Sequence, residues 1–177
     1  KDKIKGKKRN LQIICVEPEA CPTMTKGPHA WDYGDVAGMA PIALMYTLGH
    51  TFVPPPVHAG GLRYHGMSPL MSHIYELGLI EAIAINQSEC FAAGVEFARS
   101  EGIVPAPEPT HALAACIREA LIARETGEEK VILTAMCGHG YFDMTAYDRY
   151  LAGDLVDYEY PKERVEEALT RLPQVDL

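Results

Sequence analysis

Short apolar runs alternate with longer amphipathic stretches, and this alternation limits what the chain can fold into more than any other feature. LQIICVEP (11–18), LIEAIAINQ (79–87) and VILTAMC (131–137) are each of strand length. The first is almost continuously hydrophobic, which predicts a strand covered on both faces, as in a parallel sheet. Helical signals stand between and after these runs. Ser68-Pro69 supplies an N-cap and a proline at the first helical position, and Gly78 closes that helix. Ser88 and Glu89 open a second helix that Gly102 stops. IVPAPE (103–108) is a short extended segment, and THALAACIREALIARETG follows with an apolar stripe near a 3.6-residue period, ending at Gly127. YFDMTAYDRYLAG reads as helical, and PKERVEEALTRL (161–172) as an amphipathic helix. Three strand–helix alternations predict an α/β class with a mostly parallel sheet flanked by helices. The divisions expected are a basic loop over 1–10, an α/β body over 11–160 and a terminal helix within 161–177. Residues 19–66 are rich in Gly and Pro, and there we expect a long irregular stretch holding one helix at 38–47. Loops of that length are uncommon and often functional.

Charge and cysteine content exclude several classes. KDKIKGKKR (1–9) carries six of the 16 basic residues and one of the 24 acidic ones, so the remainder holds 10 basic and 23 acidic groups, a net of −13. An acidic body is a poor nucleic-acid surface, and the basic head reads as a solvated loop. No stretch approaches the ~18 unbroken apolar residues of a transmembrane helix. The N-terminus shows no apolar signal region, and a cytoplasmic location is expected. The five cysteines, Cys15, Cys21, Cys90, Cys116 and Cys137, form no CxxC pair. That pattern suits a reducing compartment better than a disulfide framework or a zinc ribbon.

In a parallel α/β sheet, ligands lie beyond the C-terminal ends of strands, and both Glu108 and Cys137 fall at such ends. Four readings of Cys137-Gly138-His139-Gly140 stay open. Cys137, His139 and Asp143 could share a metal, although no partner motif completes a zinc set. Cys137 could be a nucleophile with His139 as its base. The segment could be a tight turn around a buried thiol. It could also be a cofactor contact, with the glycines letting the backbone come close. Glu108, between two prolines at a helix start, reads either as a dipole-favoured cap or as an acid facing a ligand. His111 reads as a helix-face residue. In HAGGLRYHG (58–66), main-chain carbonyls could hold Na⁺ or K⁺, Arg63 could meet a carboxylate, or the glycines could form a bare turn. His29, His50 and His73 carry no spacing signal and read as surface or packing residues. The chain has no GxxxxGK[ST], GxGxxG or GxSxG, so nothing supports a nucleotide-binding loop or a nucleophile elbow.

VEPEACPTMTKG (16–27), DYGDVAGMAP (32–41), HTFVPPPVHAGGLRYHGMSPL (50–70), EGIVPAPEPTHA (101–112) and CGHGYFD (137–143) occur in order along nearly the whole chain. Together they resemble the C-terminal part of the tryptophan synthase β chain, and more narrowly its second, mainly archaeal and bacterial branch. The resemblance implies a fold-type II pyridoxal-phosphate enzyme. Such an enzyme dehydrates L-serine on the cofactor and adds indole to form L-tryptophan and water, and it is expected as a homodimer with a possible α-chain partner. Cys137 matches the family's serine, whose hydroxyl meets the pyridine nitrogen. The thiol is a weaker hydrogen-bonding partner but also leaves that nitrogen unprotonated. Gly138 and His139 would flank the ring. Glu108 matches the family's glutamate near the cofactor, but Pro109 and Thr110 stand where the family has serine. Tyr64 and Gly66 match positions whose carbonyls help bind a monovalent cation. Arg63 replaces an aspartate that reorients on closure in the better-known branch.

The resemblance also implies parts that this sequence does not contain. The family's Schiff-base lysine and its GGGSN phosphate cradle are expected upstream of Lys1, and the first strand begins abruptly. The chain is therefore expected to be a fragment of a longer protein, inactive alone, cut or produced within the 1–9 stretch. Two other functions stay open. Related serine and threonine dehydratases carry a cysteine at the position of Cys137, and a non-catalytic binding or assembly module is possible.

Overall fold

The structure, a computed structural model, describes residues 11–175; the basic loop expected at 1–10 lies outside them. Strand β1 (Ile14–Pro18) pairs in parallel with β4 (Glu81–Ile85), with Ile14 opposite Glu81 and Pro18 opposite Ile85. Between them in sequence lie the short helix α1 (Thr23–Lys26), strands β2 (His29–Tyr33) and β3 (Ile42–Tyr46), and helix α2 (Pro69–Glu76). Helices α3 (Gln87–Glu101) and α4 (Pro107–Thr126) follow β4, pack on each other, and α4 lies along β1. Helices α5 (Met144–Ala152) and α6 (Lys162–Leu169) complete the chain. The α/β class and the helix-flanked parallel pair agree with the sequence reading.

The helix ends follow from local chemistry. Ser68 Oγ accepts from Met71 N at 3.2 Å, capping α2 ahead of Pro69. Asn86 Oδ1 accepts from Glu89 N at 2.9 Å, so α3 is capped at Asn86 and begins at Gln87, one residue before the expected Ser88. Gly102 and Gly127 close α3 and α4 in the left-handed conformation.

One core joins Ile85 of β4, Cys90 and Ala93 of α3, and Leu113, Ala114 and Ala115 of α4, with Val16 and Met136 against it. Small residues on the facing helices let α3 and α4 approach closely. A second cluster seats Val165 and Ala168 of α6 on Cys21, Leu48 and Phe52. A third sets Phe91 of α3 against Ala146 and Tyr147 of α5.

Four expectations are corrected. Residues 42–46 form a strand rather than part of a helix at 38–47. The run Ile-Ala-Leu-Met-Tyr lies between Pro41 and Gly49, too short for a stable helix, and β2 offers it an antiparallel partner. VILTAMC (131–137) joins no ladder among the described residues, and Val131 and Leu133 are 98% and 94% exposed. β-Branched, apolar composition favours extended backbone, but a strand also needs an adjoining edge. For the same reason β1 is only half-buried along Ile14–Val16 instead of covered on both faces. The terminal helix stops at Leu169 rather than filling 161–177; Pro173 follows shortly after and cannot continue it.

Candidate active site

The glycine turn after VILTAMC is pinned against the start of α4. Ala106 N donates to Gly138 O at 3.2 Å, and Gly140 N donates to Val104 O at 2.8 Å. Pro105 and His139 form an antiparallel bridge between these bonds. Both glycines are required. Gly138 has φ +92°, and a Cβ on Gly140 would stand 2.5 Å from Pro105 O. The two strand ends singled out in the sequence therefore meet, IVPAPE on one side and Cys137-Gly138-His139 on the other.

Glu108 lies in the first turn of α4, where the helix dipole favours its charge. Its Oε1 accepts from Gly61 N at 2.9 Å instead of capping its own helix. A Cβ on Gly61 would come within 3.1 Å of the Glu108 side chain, so the double glycine lets the 58–66 loop dock on the carboxylate. Cys137 is the one exposed cysteine of the five. Cys21 and Cys90 are buried, and burial pushes the Cys21 thiol up to about 11 and raises Cys90 further. The turn thus carries an exposed thiol, which removes the buried-thiol reading. His139 is exposed; its Nδ1 accepts from Tyr141 N at 3.3 Å, and its ring lies 4.4 Å from that of Tyr141. Among the described residues no three His, Cys, Asp or Glu side chains are grouped to hold a metal ion, so the Cys137–His139–Asp143 metal reading falls.

The cation-loop residues have other partners. Tyr64 O accepts from Cys21 Sγ at 2.7 Å and from Thr23 Oγ1 at 3.3 Å. Gly66 bridges Thr47, and a Cβ there would meet Met45 Sδ at 2.5 Å. Among the described residues Arg63 meets no carboxylate: its Nη2 donates to Pro54 O at 2.8 Å, and its buried Nε finds no partner there. His111 faces inward, with Nδ1 at 2.9 Å from Pro107 O and a buried Nε2 that has no partner among the described residues.

Sequence reasoning missed a buried polar cluster. Asp32 is 0% exposed; Oδ1 lies 2.7 Å from His50 Nδ1, and Oδ2 accepts from Thr47 Oγ1 at 2.7 Å. Thr47 Oγ1 in turn accepts from Gly49 N at 2.9 Å. His50 is thus the fixed partner of a buried carboxylate. The only signal was an aspartate within the run HAWDY, and nothing in the spacing tied it to His50.

The exposed thiol, the adjoining glycine without Cβ and the nearby carboxylate fit one edge of a flat heteroaromatic ring. They do not fit a phosphate group. The three lysines among the described residues are engaged elsewhere: Lys26 lies over the Tyr160 ring, Lys130 pairs with Glu119 and Glu128, and Lys162 pairs with Glu166.

A helix-flanked parallel pair, with the glycine turn pinned to the start of α4, defines an α/β chain. A family model described as "Pyridoxal-phosphate dependent enzyme" matches residues 3–138, and the chain belongs to that family. It is 60% identical over 158 residues to the "Tryptophan synthase beta chain 2" of Aquifex aeolicus, covering 88% of this chain and 36% of that one. It is 54% identical over 156 residues to the protein of the same name from Methanosarcina acetivorans, covering 88% and 35%. It is 53% identical over 159 residues to the "Tryptophan synthase beta chain" of Pyrococcus horikoshii, covering 90% and 34%. The chain therefore spans about a third of the length of these relatives. No helix among the described residues is long and apolar enough to cross a membrane.

Proposed function

We propose that this chain is part of a pyridoxal-phosphate-dependent lyase that joins L-serine and indole to give L-tryptophan and water. The observation that carries the reading is the meeting of Glu108 and the Cys137–Gly140 turn at one rim, in a chain more than half identical to tryptophan synthase β chains. When bound, pyridoxal phosphate supplies the electron sink that lets bonds at the amino acid's α-carbon break. This chain's residues then have limited tasks. Cys137 offers its thiol to the edge of the ring, a weak hydrogen-bonding partner that does not force a proton onto the ring nitrogen. Gly138 and Gly140 let the backbone approach, His139 closes that side, and Glu108, held by Gly61 N, holds or moves a proton beside the ring.

The Schiff-base lysine and the phosphate cradle belong, in this reading, to residues beyond the chain's sequence, so the chain alone does not catalyse. Further parts of the proposal are a homodimer, an α-chain partner supplying indole, and a Na⁺ or K⁺ site at the carbonyls of Tyr64 and Gly66. At that site the cation would displace the Cys21 and Thr23 donors from Tyr64 O.

Cys137 favours one second reading, a serine or threonine dehydratase. The parent polypeptide, loaded with cofactor and given L-serine with and without indole, separates the two. Indole-dependent tryptophan supports the synthase; pyruvate at the same rate without indole supports the dehydratase.

A further inference from the structure

We propose that Gln87 is a positioning residue for Glu108: its buried amide anchors the glycine loop whose tip fastens that carboxylate. The inference rests on the reading of Glu108 given above and adds a residue that no motif singled out.

The two ends of the 58–66 loop are held by different parts of the chain. At the far end, His65 O accepts from Leu48 N at 2.6 Å, and Tyr64 O accepts from Cys21 and Thr23. Over 58–61, three hydrogen bonds among the described residues reach beyond the loop. His58 N donates to Gln87 Oε1 at 3.2 Å, His58 Nε2 lies 3.4 Å from Arg149 Nη1, and Gly61 N donates to Glu108 Oε1 at 2.9 Å. Arg149 is exposed, so water competes for its contact, whereas Gln87 is 6% exposed.

Gln87 is itself firmly placed. It is the first residue of α3, behind the Asn86 cap. Its Nε2 donates to Val156 O, and beside it Ser88 N donates to Asp157 Oδ1 at 2.9 Å. The main-chain N–H of His58 can only donate and the oxygen of Val156 can only accept. A side chain between them must do both, which a primary amide does and a carboxylate or thioether of similar size does not. Gly61 stands three residues on from His58, about 10 Å of chain at most, so holding one limits where the other can go. Val57 and Ala59 are buried on either side of His58 and fix the direction in which the loop leaves. Gly61 N is in turn the one hydrogen-bonding partner of the Glu108 side chain among the described residues. The connection from Val156 through Gln87, His58 and Gly61 to Glu108 is therefore unbroken.

Gln87→Met removes both amide bonds at nearly constant size. In the parent polypeptide, hydrogen exchange read by mass spectrometry should then run roughly tenfold faster in a peptide covering 59–63, the effect of one lost hydrogen bond, and stay unchanged over 110–116 of α4. Gln87→Glu keeps an acceptor for His58 N and loses only the donor to Val156 O, so it should restore slow exchange in the loop. For tryptophan formation, Gln87→Met should lower kcat several-fold with little change in KM for L-serine, and Gln87→Glu should recover most of the loss. In a Glu108→Gln background, Gln87→Met should reduce the residual rate no further, because both changes act through one side chain. Exchange at 59–63 that keeps the parent rate, or that rises equally in α4, overturns the proposal, as does a kcat loss of the same size with and without Glu108. Absence of tryptophan formation in the unchanged parent would instead sink the reading of the enzyme, and the exchange result would still decide whether Gln87 holds the loop.

Discussion

The hydroxyl of Tyr147 donates to the main-chain oxygen of Pro105 across 2.7 Å, and Gly94 leaves the room it needs, since a Cβ there would stand 2.6 Å from that hydroxyl. The bond ties α5 to the segment that launches α4, and so fixes the rim on which Glu108 and Cys137 meet. Tyr147→Phe strands a buried carbonyl, a loss of about 1–3 kcal/mol. Urea unfolding should show a lower midpoint, and Gly94→Ala should lower it too by displacing the hydroxyl.

Two glycines with positive φ should respond differently to alanine. Gly102 (φ +72°) faces open space, so Gly102→Ala costs only the left-handed strain, roughly 1 kcal/mol. Gly49 (φ +90°) lies against α6, where a Cβ would come 2.7 Å from the main chain of Ala168. Gly49→Ala should add a steric loss of roughly 1–3 kcal/mol to that strain and loosen α6. Thermal unfolding of the two variants side by side checks the ordering; equal losses would mean that α6 does not pack there.

His111 gives stability a pH dependence of known sign. Burial lowers its proton affinity in the folded chain. The unfolded state then binds more protons, and its contribution, complete above the ordinary imidazole range, is lost as pH falls through that range. His58 is shifted in the same direction but lies nearer solvent. The fall in urea midpoint from pH 7.5 to 5.5 should therefore be smaller in His111→Gln than in the parent chain.

Much of the helical framework was legible because its signals are local. Ser68-Pro69, Gly102 and Gly127 mark helix ends by their own chemistry. The strands were harder. Ile42–Tyr46 becomes β3 only because His29–Tyr33 lies opposite it, and no short window contains both. VILTAMC has strand composition but no neighbouring edge among the described residues. At the site, Glu108 and Cys137 were singled out by their motifs, although neither closes a strand among the described residues, while the bond from Gly61 spans 47 positions and the Asp32–His50 pair spans 18. Spacing cannot report such contacts.

The exposed run at 131–133 carries its own consequence. Exposed apolar side chains on backbone that joins no ladder among the described residues invite association. Val131→Lys with Leu133→Lys should make the isolated chain more monomeric at a given concentration, as read by light scattering. In the parent enzyme the same pair of changes should reduce the folded yield if that run is covered there.

If Cys137 lies against the cofactor, bound cofactor shields its thiol, and thiol labelling reads that shielding. Cys137 is the exposed cysteine of the chain, so a maleimide should modify it first in the parent enzyme stripped of cofactor. Adding pyridoxal phosphate should protect it, and Cys137→Ser should retain the cofactor's absorption spectrum while Cys137→Asp alters it. Labelling of Cys137 at the same rate with and without the cofactor, with unchanged spectra in both variants, would contradict that placement.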